Sequence, residues 1–292
     1  MKDILSSLVL PSRKNLKGLK YSGLDSPGNA LDHNHFNEFP FDVSYSYNSR
    51  GFRDDEWPET IEELRDAIWC IGDSFTAGIG QPRQHIWPQR LQERLKRRTI
   101  NVSLDGASND WIARRCLDII KEVAPKDIVI CWSYLHRREL PNANLYDEDR
   151  RVHVSTFDSY ENVVNFIENY TKINQLTNTK FVNLTVPHCL VEDNYAVISG
   201  QKDPAYELDE VWNTIRGSDW PVIYPGSKDL NTNILEELAK LNFLDRLGIL
   251  KYLMDAGVSL LNYELTDLAR DGHHFGKRTV LSIVDGIVEK LK

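Results

Sequence analysis

The stretch Ala67-Ile-Trp-Cys-Ile-Gly-Asp-Ser-Phe-Thr-Ala-Gly78 constrains this chain more than any other. An apolar run ends in Gly72-Asp73-Ser74, and a turn of small residues follows. A Pro-bearing amphipathic segment, His85 to Leu95, comes next. The pattern reads as strand, tight turn, helix. It sets a serine hydroxyl at the carboxyl end of a strand, where open α/β sheets keep their ligands. Gly, Asp and Ser are also ordinary turn formers, so the triplet alone equally describes a turn with no chemistry.

The alternation of a parallel sheet surrounds this stretch. Strand candidates are Ala67–Ile71, Thr99–Leu104, Asp127–Ser133, Lys180–Val186 and Val258–Asn262. Short apolar, β-branched runs suit strands covered on both faces. Helix candidates alternate with them: Ile86–Arg97, Asn109–Val123 capped by Asn109 or Asp110, Ser159–Gln175, Leu247–Ala256 and Arg278–Leu291. The last carries Val280, Ile283, Val284, Ile287, Val288 and Leu291 on one stripe. Repeated strand–helix units give a three-layer parallel fold with right-handed crossovers. Residues 1–65 are expected to form an irregular arm packed on the core. Val43 to Phe52 is read as a short strand or hairpin, and Asp54 to Glu63 as surface. Residues 66–292 form the main domain. A charged segment, 137–157, and a longer one at about 190–233 interrupt it. The second holds Tyr195, Tyr206, Trp212, Trp220 and Tyr224, and reads as a cap near the active face or as a structural excursion.

Charge and length exclude several classes. A net charge of −8 is the wrong sign for a nucleic-acid partner. No run of 18 apolar residues is present for a membrane span. The first 11 residues make a poor signal peptide. Of four cysteines, Cys70 and Cys131 fall in core strands and Cys116 in a helix. Cys70, Cys116, Cys131 and Cys189 lack metal-ligand spacing and are read as buried free thiols. Cytoplasmic location is the expectation, although a phage particle protein would look the same. His33, His35 and His85 lack carboxylate or Cys neighbours at regular spacing, so no metal is expected.

A serine becomes a nucleophile only when a base takes its proton, and the base needs an acid to orient it. The best region for both is Asp267-Leu-Ala-Arg-Asp-Gly-His-His-Phe-Gly276, just before the last helix. Asp271 and His274 stand three apart, so one turn can offer both to one serine.

With both segments in view, the chain resembles the SGNH, or GDSL, hydrolases. Gly72-Asp73-Ser74 resembles their first motif block, Asn101-Val-Ser-Leu-Asp-Gly106 the second, and Asp271-Gly-His-His274 the fifth. The likeness covers roughly residues 66–136 and 179–292. Asn48-Ser-Arg-Gly-Phe-Arg53 is similar to a segment preceding the core in some bacterial and phage members. The resemblance implies a flavodoxin-like, five-stranded sheet of order 2-1-3-4-5. It implies Ser74 as nucleophile, His274 as base, Asp271 as orienting acid, and the amides of Ser74 and Gly106 as oxyanion donors, with no cofactor or metal. His273 would point away or shape the rim. His136 and His188 follow strands and read as rim residues.

The family's third block places an Asn after the third strand as a further oxyanion donor. Here that strand ends Ile130-Cys-Trp-Ser-Tyr-Leu-His-Arg-Arg138, with no Asn. Asn109 could point back into the site, unless it caps its helix. Ser133 or Tyr134 could stand in. Arg137 could reach in, unless it pairs with Glu139 or Glu210. Ser133, Tyr134 and Arg137 also read as substrate-binding. The implied function is an esterase acting on a small-molecule or carbohydrate ester, acetyl above all. The alternatives are an acyltransferase and a non-catalytic carbohydrate-binding or virion-associated module. Oligomeric state is not readable.

Overall fold

A computed structural model describes residues 5–21, 25–26, 42–135, 137–139, 159–176, 178–186, 256–261 and 263–292. Four strands form one parallel sheet: β1 Ile68–Gly72, β2 Thr99–Ser103, β3 Asp127–Trp132 and β4 Lys180–Thr185. Their order is β2-β1-β3-β4. Ile68 sits opposite both Thr99 and Asp127, and Asp127 opposite Lys180. β1 therefore lies between two neighbours, and all of its residues are buried.

Strand side chains alternate between faces, and the two faces carry separate cores. Trp69, Ile71, Ile100, Val102, Ile128, Ile130 and Trp132 share one apolar cluster. Two helices cover it, which we call α4 (Asn109–Glu122) and α5 (Ser159–Asn174), through Ile112, Cys116, Ile119, Phe166, Ile167 and Ile173. Ile68, Cys70, Val129, Cys131, Val182 and Leu184 face the other way. There α3 (Trp87–Leu95) contributes Trp87 and Leu91, and α6 (Lys277–Leu291) contributes Val280, Ile283, Val284 and Ile287. Two short helices complete the described set, α1 (Ile61–Asp66) and α2 (Ser74–Ala77). The fold is a three-layer α/β/α sandwich, as the strand–helix alternation requires. Cys70, Cys116 and Cys131 are buried free thiols within it. Among the described residues no helix is long and apolar enough to cross a membrane.

The expected fifth strand is not a strand. Of 258–262, residues 258–261 are described as irregular chain. A single backbone bond joins it to β4, from Leu261 N to Asn183 O (2.6 Å). Two residues earlier, the Tyr170 hydroxyl accepts from Ser259 N (2.9 Å) and donates to Ser259 O (3.3 Å). In a parallel strand those groups would address the same neighbour as Leu261. The phenol of α5 thus takes the place of a ladder partner.

The described arm is part of the first core. Leu5, Leu8, Leu10, Phe52 and Trp57 join the cluster of Trp69. Phe52 stacks on Trp57 (5.1 Å), and Trp57 meets Trp69 edge-on (5.5 Å). Val43 to Phe52 forms neither strand nor hairpin. It makes one isolated antiparallel bridge, Leu19 with Tyr45, and the Asn48 side chain closes a turn by accepting from the amides of Arg50 and Phe52. The acidic segment is not all surface. Asp54 is buried and accepts from Arg98 (2.9 and 3.1 Å), Trp57 Nε1 (3.1 Å) and Asn101 N (3.1 Å). Asn101 lies on the unpaired edge of β2, as does Thr99, whose amide donates to Gln92 Oε1 (3.0 Å). Side chains thus close an edge that would otherwise offer free amides to another strand. The expected helix 247–256 and the 190–233 stretch lie outside the described residues, apart from Ala256.

Candidate active site

Ser74 opens α2 directly beyond β1. The turn needs glycine at 72 because a Cβ there would lie 2.1 Å from Thr76 Oγ1 and 2.8 Å from Cys131 O. Asp73 caps α2, its Oδ1 accepting from Phe75 N (3.0 Å). Its Oδ2 accepts from Ser133 Oγ (2.6 Å) and Arg137 Nη1 (3.0 Å). Asp73 is fully buried, and the Arg137 guanidinium answers its charge while lying 4.7 Å over the Tyr134 ring. Of the two partners expected for Arg137, Glu210 lies outside the described residues and Glu139 is replaced by Asp73. Glu139 instead pairs with Arg114 (2.6 and 2.8 Å).

Arg53 holds the far end of α2. Its guanidinium donates to the carbonyls of Ala77 (2.9 Å), Gly78 (2.6 Å) and Gln81 (2.8 Å), and lies 4.4 Å over the Tyr45 ring. The first two are end carbonyls of the kind a short helix leaves unsatisfied. Burial lowers the Arg53 pKa to about 10, so the group stays charged at neutral pH.

Gly106 follows β2 in a turn closed by Ala107 N donating to Leu104 O (2.9 Å). Its φ of +72° is the conformation glycine adopts freely. Neither the Ser74 amide nor the Gly106 amide donates to another described residue.

The segment 267–276 is a closed loop. Ala269 N donates to His274 O (2.7 Å), Gly272 N to Ala269 O (2.9 Å) and Gly276 N to Asp267 O (3.0 Å). Asp267 also caps α6, accepting from Thr279 N (2.8 Å) and Arg278 N (3.0 Å). Within the loop, Asp271 Oδ1 accepts from the amides of His273 and His274 (both 3.0 Å), and Oδ2 lies 2.6 Å from His274 Nδ1. Burial pushes the Asp271 carboxyl up, but the His274 charge and hydrogen bonds outweigh it and hold the group below its usual range. With the carboxylate accepting at Nδ1, the neutral form of His274 carries its lone pair on Nε2. Nε2 is buried without a hydrogen-bond partner among the described residues.

Phe75 ties the two halves together. Its ring centroid lies 4.5 Å from His274, 5.4 Å from His273, 4.9 Å from Phe275 and 6.1 Å from Tyr134. His274 thus stands beside the residue next to Ser74, although no Ser74–His274 hydrogen bond is made. His273 lies against Tyr134, whose hydroxyl is 3.2 Å from its Nε2. Burial, with the His274 and Arg137 charges, lowers the His273 pKa to about 4.

Both expectations for Asn109 are replaced. The helix cap is Ser108, whose Oγ accepts from Trp111 N (3.1 Å). The buried Asn109 carboxamide is committed to the exit of β3. It donates to Ser133 O (3.3 Å) and Tyr134 O (3.1 Å) and accepts from Ser133 N (2.9 Å). An amide with both ends engaged has no donor to turn toward Ser74. His136 and His188 lie outside the described residues. Sequence reasoning missed Arg53, Tyr45, Asp25 and Arg270. Arg53 ends the noted Asn48–Arg53 stretch, yet nothing in that stretch points to carbonyls 24 to 28 residues later.

The sheet thus has the order 2-1-3-4, with Gly-Asp-Ser after β1 and Asp-x-x-His before the last helix. No family model matches the chain, and no curated protein does. Among solved structures it is similar to TesA, at 13% identity over 77% of this chain and 98% of that one, with a TM-score of 0.42. It is also similar to the psychrotrophic esterase EstA from Pseudoalteromonas sp., at 15% identity, 77% and 96% coverage and a TM-score of 0.42. A third is the acetyl xylan esterase AlAXEase, at 16%, 77% and 100%, with a TM-score of 0.38.

Proposed function

We propose that this protein is a serine esterase that cleaves a small acyl ester, with acetyl on a carbohydrate as the favoured substrate class. The observation that carries this reading is the buried His274, held by Asp271 at Nδ1 and without a partner at Nε2 among the described residues, beside the residue that follows Ser74. A lone pair kept out of water and fixed in direction is what a general base requires. Ser74 Oγ attacks the acyl carbonyl while Nε2 takes the hydroxyl proton. The tetrahedral oxyanion collapses, the alcohol leaves with that proton, and an acyl-serine remains. Water then attacks the acyl-serine, gives its proton to Nε2, and the acid departs as Ser74 regains its hydrogen. The Ser74 and Gly106 amides serve as oxyanion donors, each contributing about 10²–10³ in rate. Arg137, anchored through Nη1, is the side chain proposed for the third donor position, with Tyr134 and Ser133 shaping the acyl site. The carbohydrate preference draws on the aromatic residues of 190–233.

Ser74→Ala should abolish release of p-nitrophenol from p-nitrophenyl acetate, and a fluorophosphonate should label Ser74 in the wild-type protein. Undiminished hydrolysis by Ser74→Ala would overturn the assignment. The absence of a Ser74–His274 hydrogen bond favours one other reading, a non-catalytic ester-binding module. Failure of folded protein to react with the fluorophosphonate would select it.

A further inference from the structure

A second buried ionic cluster lies behind the Asp271–His274 loop, and the arm supplies its acid. Arg270, adjacent to Asp271, donates from Nε to Asp25 Oδ1 (2.5 Å) and from Nη2 to Asp25 Oδ2 (2.8 Å). Asp25 Oδ2 also accepts from the Tyr45 hydroxyl (2.5 Å), which itself accepts from Gly80 N (2.9 Å). Asp25 and Tyr45 are fully buried, and Arg270 is nearly so. Gly80 belongs to the loop that follows Ser74, and its carbonyl accepts from Arg270 N (3.4 Å). The Arg270 guanidinium also lies 5.9 Å over the Tyr21 ring. One carboxylate therefore joins the loop that carries the base to the loop that follows the nucleophile. The bidentate pair fixes the plane and direction of the guanidinium, not only its distance.

We infer that Asp25 is a positioning residue: acting through Arg270 and Tyr45, it sets the spacing between the Asp271–His274 loop and the Ser74 turn. The inference rests on the esterase reading for its effect on rate, and on the geometry alone for its effect on loop order. Asp25 touches neither Ser74 nor His274. Its removal should act on the alignment of the two and spare the binding of a small ester. A misplacement of about 1 Å costs about 10²-fold in rate.

The test compares wild type, Asp25→Asn and Tyr45→Phe in the full chain. The substrate is p-nitrophenyl acetate, with rates expressed per folded molecule. Asp25→Asn should lower kcat about 100-fold with KM changed less than threefold, and Tyr45→Phe, which cuts only the branch to Gly80, about 10-fold. Hydrogen exchange should quicken in peptides spanning 78–82 and 268–276 and stay unchanged in the sheet. Unaltered kcat and exchange in both variants would overturn the inference. If Asp25→Asn does not fold, Tyr45→Phe decides by the same readouts. If wild type neither hydrolyses the ester nor labels at Ser74, the esterase reading fails, and exchange in the two loops still decides the positioning claim.

Discussion

Replacing Gly80 by alanine should damage turnover far more than stability. Gly80 has φ of +74°, and a Cβ there would lie 2.9 Å from Ala269 Cβ and 3.0 Å from Asp271 Cγ. The left-handed conformation costs an alanine about 1–2 kcal/mol. Carbon atoms rest at about 3.5–4.0 Å, so the loops must part by about 0.5–1 Å. At about 2–4 °C per kcal/mol in a chain of this size, Gly80→Ala should lower Tm by about 2–8 °C. The same parting moves His274 relative to Ser74, and about 1 Å corresponds to about 10²-fold in rate. The assay is kcat on p-nitrophenyl acetate at 25 °C, well below the melt, beside a thermal scan. Gly80→Ala combined with Ala269→Gly removes the nearest contact and keeps the backbone cost. Its kcat should recover only in part, because the 3.0 Å contact with Asp271 Cγ remains, while its Tm stays low. If Gly80→Ala lowers Tm and leaves kcat within twofold of wild type, the spacing of the loops does not govern catalysis.

Asn109→Ala should destabilise the protein by about 2 kcal/mol, because it strands the buried Ser133 amide, and a urea titration would show it. A loss of kcat with no change in the urea midpoint would instead make Asn109 an oxyanion donor. Arg53→Met should cost about 3–5 kcal/mol, since it removes the donor that serves three buried carbonyls, and a drop in Tm measures it. His273 sits neutral in the folded protein, with a pKa of about 4 against 6.5 in the free side chain. The unfolded chain therefore takes up its proton first as pH falls. This contribution is complete above about pH 6.5 and is lost as pH falls toward 4, on the order of 2 kcal/mol after allowance for partial exposure. Thermal scans of wild type and His273→Asn from pH 7 to 4.5 should diverge, with the variant less sensitive to acid.

The sheet was readable because each strand is a short apolar run between turn residues. Four strands form within a residue or two of their expected bounds. Val258–Asn262 carries the same apolar signal, but a hydroxyl distant in sequence displaces the ladder bond, and no local pattern reveals that. The Asp271–His274 pair was legible because the two stand three apart with Gly272 between them. Asn109 was misread because an Asn at a helix start matches a cap, whereas its carboxamide is drawn to the end of β3. Asp54 was misread because an acid among acids looks solvated. Only the edge of β2 explains its burial. The Asp25–Arg270 pair joins positions 245 residues apart, and each looks like ordinary surface charge in its own segment.

Arg53 gives its hydrogen bonds to main-chain oxygens, with the Tyr45 ring against the face of its guanidinium. Its partners at Ala77, Gly78 and Gln81 offer it carbonyls that any residue in the same backbone path would also offer. Among variants of this fold, position 53 should therefore tolerate almost nothing while positions 77, 78 and 81 do not change in step with it. Methods that infer contacts from correlated substitution would be blind to this joint. The way to find it is the intolerance of one site, measured by saturation mutagenesis across the arm.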